Sequence, residues 1–327
     1  MKAKRFVIGF SCLLIVLLGV SLLVGRNALS IADLRQVLEG NASQSTQLIL
    51  WNFRLPRGVI AILAGWGLGV SGFLLQGITR NPIADASILG VNSGAGLFIM
   101  IYLGFFAQGS LYLLPLLGIF GGFLAAGLVL VVAYRKRQIL SMDKVLLAGI
   151  AVNAGLSAVT LIATIKISKN SYNFVVSWLA GSIWGASWSN ICALLPWLLI
   201  LGAIAFYKIP LLRLLGLGEE RALALGVNVG RERFLLLLLA VGLTASSIAY
   251  AGSLTFVGLL APHMAKSLLK VESRASFMLS GLISSCLVLL ADIIARVILP
   301  SGELPTGMII AAVGAPYFIY LMLRQKI

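Results

Sequence analysis

The feature that most constrains this chain is a run of 49 residues, Ala86 to Tyr134, without an Asp, Glu, Lys or Arg. A soluble core has no use for so long an apolar stretch, whereas a bilayer with roughly 30 Å of hydrocarbon is crossed by about 20 apolar helical residues. Inside the hydrocarbon every backbone N–H and C=O must be satisfied within its own segment, so each crossing reads as a helix. The run is long enough for two, divided near Gln108-Gly109-Ser110. Further spans read at 6–25, 58–78, 145–165, 190–207, 234–251, 275–297 and 304–323. A shorter segment at about 254–268, which contains Pro262 and His263, completes ten. After a wet stretch around KISKNSYNF, the string SWLAGSIWGASW has the Trp, Gly and Ser content of a short interfacial helix and turn.

Ten crossings put both termini on one side, and the basic residues test that count. With the N-terminus inside, 18 of the 25 Lys and Arg fall in inner segments and seven in outer ones, in keeping with the positive-inside rule. Without the short eighth span, Arg324 and Lys326 would move outside. Composition agrees: 60% of the 327 residues are hydrophobic and 11% charged, with a mean hydropathy of +1.05. The formal charge of +15 therefore orients loops and meets anionic lipid headgroups, and a nucleic-acid partner is not expected. Lys2, Lys4 and Arg5 precede twenty uncharged residues, Phe6 to Gly25. That core exceeds the ~7–15 residues of a signal peptide and no small-x-small site follows, so it reads as the first membrane helix. The whole of 1–327 reads as one transmembrane domain, because the longest inner connection, about 208–233, is too short for a catalytic domain.

That connection, KIPLLRLLGLGEERALALGVNVGRER, reads as an apolar-periodic segment, a Gly-x-Gly break, a short helix and a second glycine break. Glu219 and Glu220 suit a helix N-terminus and Gly226 a C-terminal stop. Two readings are open: an amphipathic loop on the headgroups, or a rigid knob for a soluble partner. Arg54 and Arg57 stand at the mouth of the second span, on the outside by the charge count. Glycine is frequent, as in GWGLGVSG, and small residues at such spacing let membrane helices approach closely. LPRGVIAILAG at 55–65 is echoed by LPTGMIIAAVG at 304–314, a hint of two similar helix starts on one face.

Chemistry is sparse. One histidine, three separated cysteines (Cys12, Cys192 and Cys286) and no paired carboxylates within a span leave nothing for acid–base or metal catalysis. His263 reads as structural and the cysteines as packing residues. No GxxxxGK[ST] string is present, so ATP hydrolysis by that chemistry needs another protein. An ion-coupled secondary transporter of a small organic solute is the rival class, but such carriers keep ionisable groups near the midplane, and these spans are essentially free of them. A channel is disfavoured by the lack of a polar ring signature.

Five strings, in order, carry a resemblance: RLPR at 54–57, SGFLLQGITRNPIADASILGVNSGAG at 71–96, GLGEERALALGV at 216–227, GSLTFVGLLAPHMAK at 252–266 and ADIIARVILPSGELPTGMIIAAVGAPYF at 291–318. They resemble the permease subunits of ABC importers for ferric siderophores, haem and vitamin B12, the FecCD/BtuC-like family, from end to end. The resemblance implies an all-α, polytopic BtuC-like permease fold of ten helices with both termini cytoplasmic, in the cell (inner) membrane. It implies a second permease subunit, identical or similar, two cytoplasmic ATPases and an extracytoplasmic binding protein that delivers an iron chelate or cobalamin. No cofactor is implied on this chain, ATP and Mg²⁺ belonging to the ATPases.

The family's pattern gives Arg54, Arg57 and Arg296 the task of receiving acidic residues of the binding protein, for which a planar, permanently charged guanidinium is suited. Lipid-headgroup snorkelling is the plainer role for such residues. Asp292, four residues before Arg296 on the same helix face, is placed to hold that guanidinium. Gly218, Glu219, Glu220, Ala222, Leu225, Gly226 and Val227 match the coupling helices that seat in the ATPases. Met142 and Asp143 match the cytoplasmic gate, although the vitamin B12 member has small hydroxylated residues there. Lys266 stands where the family commonly has arginine, which keeps the charge and loses the bidentate geometry.

Overall fold

The computed structural model describes residues 2–25, 29–106, 113–134, 142–165, 169–299 and 302–324, and among them every regular element is helical. In order these are α1 (Lys2–Leu23), α2 (Ile31–Leu38), α3 (Gln44–Leu48), α4 (Leu55–Thr79), α5 (Val91–Phe105), α6 (Leu114–Ala133) and α7 (Met142–Thr164). There follow α8 (Lys169–Leu179), α9 (Trp188–Gly216), α10 (Glu219–Ala224), α11 (Val229–Ala251), α12 (Val257–Leu269), α13 (Arg274–Val297) and α14 (Thr306–Arg324). Ten of them, α1, α4 to α7, α9 and α11 to α14, coincide with the ten segments read from the sequence. The expected division near Gln108 lies outside the described residues. Two are short, α5 at 15 residues and α12 at 13.

The departures from the sequence reading are local. Between the first two spans α2 and α3 form, each started by a serine cap: Ser30 Oγ accepts from Asp33 N at 3.1 Å, and Ser43 Oγ from Thr46 N at 3.2 Å. A π-helical turn, Ile49–Arg54, then leads without a break into α4. The interfacial helix sits at 169–179 instead of within SWLAGSIWGASW, because Val175 and Trp178 share a face that α8 buries. Residues 180–187 of that string, with Gly181 at φ 79° and Gly185 at φ 80°, are not helical, and its last residue, Trp188, opens α9. Further on, α9 continues past Pro210 to Gly216, so the apolar-periodic start of the 208–233 connection is the end of a long helix.

The core is built around α4, which packs on α13, α11, α12 and α9. Its glycines make this possible. An added Cβ would lie 2.0 Å from Ser284 Oγ of α13 at Gly69, 1.8 Å from the Gly258 carbonyl of α12 at Gly72, and 2.0 Å from Leu212 Cδ2 of α9 at Gly77. With lipid as apolar as leucine, such close packing and interhelical hydrogen bonds replace the hydrophobic effect as the force between helices. The bonds are present: Ser71 Oγ donates to Ala240 O at 2.7 Å, Ser285 Oγ to Ile62 O at 2.8 Å, and Gln76 Nε2 to Leu259 O at 3.1 Å. Phe277 of α13 adds edge-on contacts with Trp66, Phe73 and Phe206. Around this centre α1 and α14 pack on α13, while α5, α6 and α7 form a second group joined to α11.

Candidate functional site

Two places in the bundle gather chemistry, one at each end of α4. At the start of α4 the structure brings together Arg54, Arg57 and Arg296 with Asp292 and Glu303. Asp292, fully buried on α13, lies 2.9 Å from Arg57 Nε through Oδ1 and 3.1 Å from Arg296 Nε through Oδ2. Thr306 Oγ1 donates to the same Oδ1 at 3.2 Å. Arg57 reaches outward as well, its Nη1 lying 2.6 Å from Glu303 Oε2 in the loop before α14. Arg57 and Thr306 hold equivalent places in the Leu-Pro-Arg and Leu-Pro-Thr echo, so the two similar helix starts converge on one carboxylate.

The remaining contacts explain why arginines can be buried here. Arg54 Nη1 donates to the Leu22 carbonyl. Arg296 Nη1 lies 3.2 Å from Ser21 O and 3.4 Å from Val24 O, and its Nη2 2.6 Å from Ser21 Oγ. These carbonyls belong to the last turn of α1 and the residue just past it, where C=O groups have no helical partner and the helix carries partial negative charge. The guanidinium groups satisfy that helix end. Three cations against two carboxylates leave the cluster one positive charge in excess.

Arg54, Arg57 and Arg296 do not stand as free side chains on a rim: Arg54 and Arg296 are buried, 6% and 8% exposed, and committed to α1. Arg57, with 12% of its side chain exposed, faces the half-exposed Glu303. The expected Asp292–Arg296 pair forms. That Arg57, Glu303, Thr306 and Ser21 join it has no signal in the sequence beyond the Leu-Pro echo.

At the other end of α4, the α9–α10–α11 connection forms a knob. Gly218 at φ 116° and Gly226 at φ 79° make the two breaks expected of glycine. Glu219 and Glu220 fill the first turn of α10, and Glu219 Oε2 lies 3.4 Å from Nη1 of the buried Arg233 on α11. Ala222 is fully buried and so anchors the knob instead of offering a contact. Val227 is partly buried and its N–H donates to Ala222 O at 3.0 Å. The knob presents three apolar side chains, Leu217, Leu223 and Leu225, which are 50%, 49% and 60% exposed, beside the exposed Glu220 and Arg221. Leu217 and Leu223 are beyond the residues the sequence reading names, although the place of Leu217 next to the Gly218 break and of Leu223 on the short helix after it is a signal for both.

The other singled-out residues are accounted for locally. Lys266 Nζ pairs with Glu272 Oε1 at 2.7 Å and lies 5.2 Å from the centre of the Phe73 ring, contacts that a point charge makes without arginine's fork. His263 Nδ1 is 3.1 Å from Tyr317 Oη, between α12 and α14. Cys12, Cys192 and Cys286 are free thiols. Met142 begins α7; the side chains of Met142 and Asp143 lie outside the described residues.

Comparison with known proteins places this architecture. The model of the FecCD transport family matches residues 13–324. The chain is 39% identical over 324 residues to the iron(3+)-hydroxamate import system permease protein FhuG of Bacillus subtilis, covering 96% of this chain and 95% of that one. It is 37% identical over 333 residues to the iron-uptake system permease protein FeuC of the same organism, covering 99% and 98%. A solved structure described as a metal-chelate type ABC transporter in an inward-facing conformation superposes with a TM-score of 0.87 at 29% identity, over 98% of this chain and 99% of that one.

Proposed function

The chain belongs to the FecCD transport family, a multi-pass membrane permease, and from that premise we propose that it passes an iron(III) chelate inward as the permease subunit of an ATP-driven importer. The cargo class follows the relatives, one named for iron(3+)-hydroxamate and one for iron uptake. The observation that carries the energy-coupling part is the knob: three leucines about half exposed at 217, 223 and 225, on and beside the short helix that Ala222 and Arg233 anchor. Exposed apolar groups on a rigid support suit a docking partner, and this chain lacks a phosphate loop of its own. A separate ATPase, carrying ATP and Mg²⁺, is the partner that fits, with Gly218 to Val227 as its seat.

The knob end, which holds most of the basic residues, is the cytoplasmic end in this reading, and both termini lie there. The Arg57 end then faces outward, where its surplus positive charge suits the acidic surface of a binding protein, with Arg57 as the point of contact and Arg54 and Arg296 as its support. Met142 and Asp143 lie at the cytoplasmic mouth and are the gate candidates. A second permease subunit completes the pathway, and the face of α7 that exposes Leu147, Ile150 and, midway along, Ser157, whose Oγ is 3.4 Å from Ser93 Oγ, is the one this reading gives it.

Uptake of ⁵⁵Fe(III) bound to a trihydroxamate or to citrate tests this reading in cells lacking the chain and in cells carrying Leu223→Asp with Leu225→Asp. Loss of uptake together with loss of ATPase co-purification is expected. Undiminished uptake with the ATPase released, or accumulation driven by an ion gradient in vesicles that hold this chain alone, would overturn it.

A further inference from the structure

Among the described residues, α4 is the helix that meets both candidate sites. Its first turn carries Arg57, and immediately after its last residue stands Arg80, in the left-handed conformation at φ 55°. The Arg80 Nη2 donates to the Leu215 carbonyl in the last turn of α9. The same carbonyl accepts the Gly218 N–H at 3.4 Å, so Arg80 holds the chain at the pivot from which α10 departs.

The contacts between α4 and α9 give this bond leverage. Trp66 and Gly67 meet Gly202 and Leu198, Gly77 meets Leu212 and Arg80 meets Leu215, so later residues of α4 meet later residues of α9 and the two helices are a parallel pair. At Gly77 and Gly202 no room remains even for a Cβ, which would lie 2.0 and 2.4 Å from the neighbouring side chain. Surfaces packed so closely move together and do not slide freely. The knob's other tie, Glu219 to Arg233, leads into α11. The Arg80 bond fastens the knob's pivot directly to the end of α4, beside the α4–α9 packing, and the 25 residues of α4 extend roughly 37 Å at 1.5 Å per residue to the Arg57–Asp292 cluster.

We propose that Arg80 is a positioning residue that makes the α10 knob and α4 one mechanical body, so that a displacement of the knob reaches the ionic cluster at the far end of the bundle. The proposal rests on the reading that the knob seats on an ATPase.

Hydrogen–deuterium exchange on the permease–ATPase complex in nanodiscs, without nucleotide and with ATP plus vanadate, tests it. In the wild type, vanadate trapping should change exchange both at 215–227 and at 302–308, the segment that holds Glu303 and Thr306. In Arg80→Ala the ATPase should stay bound and the change at 215–227 persist, while the change at 302–308 falls about fivefold, the lower end of usual coupling effects. Arg80→Lys, which keeps a long cationic donor, should restore most of it, a recovery that simple loss of packing does not give. Arg80→Gln, neutral and too short to span the gap, carries the same expectation as alanine should the alanine variant fail to assemble. An undiminished response at 302–308 in the alanine or glutamine variant, or no wild-type response there, overturns the proposal. Removal of residues 219–224 separates the two ideas, since an ATPase that remains bound without them sinks the docking reading itself.

Discussion

Asp292 is where one side chain decides the state of several. Fully buried, it faces two guanidinium groups within 3.1 Å, and removing it leaves Arg57 and Arg296 desolvated with like charges opposed. Breaking a buried ion pair from one side costs about 3–5 kcal/mol. Asp292→Ala should therefore lower the thermal unfolding midpoint of the detergent-solubilised chain markedly. Glu303 makes an equally short contact with Arg57, yet its side chain is 35% exposed, and water takes over much of its role. Glu303→Gln should cost no more than ~1 kcal/mol. Equal losses in the two variants would show that the cluster is not divided into a buried and a solvated half.

At the scale of helices, the glycines of α4 do what side chains do in a soluble core. Gly72 sits against the backbone of Gly258, with 1.8 Å between an added Cβ and a carbonyl oxygen; neither backbone can yield without parting α4 from α12. Gly72→Ala should destabilise by ~1–3 kcal/mol or more. Gly127, in the helical body of α6, has nothing within 4 Å of an added Cβ, so Gly127→Ala should be neutral or stabilise by up to about 1 kcal/mol. Paired melting curves check both, and a harmless Gly72→Ala would remove the tight α4–α12 contact from the account.

For the molecule as a whole, the faces left without internal partners matter most. α4, α11 and α13 are largely covered within the chain, whereas α7 exposes Leu147, Ile150, Val159, Leu161 and Ile162 along with Ser157. A second permease across that face should let Ser157→Cys cross-link between copies in native membranes once Cys12 and Cys192 are replaced. Val16→Cys on α1, exposed on another face, should not. Cross-linking at Val16 alone would place the partner elsewhere, and a heteromeric partner would give a mixed product of different mass.

The ten helical segments were legible because the bilayer imposes a rule on each segment separately: roughly 20 apolar residues with their backbone bonds kept within. The knob was legible for the same local reason, two glycines and two glutamates setting its breaks and its start. What the sequence could not decide was where Arg54, Arg57 and Arg296 point. Their burial depends on the end of α1, about 30 residues before Arg54 and some 270 before Arg296, arriving with unpaired carbonyls, and on Asp292 and Glu303 arriving from α13 and the loop beyond it. Nor could it show that Arg80 reaches Leu215, 135 residues away. A charge is stabilised by what surrounds it in space, and only the packing of helices distant in the chain supplies those surroundings.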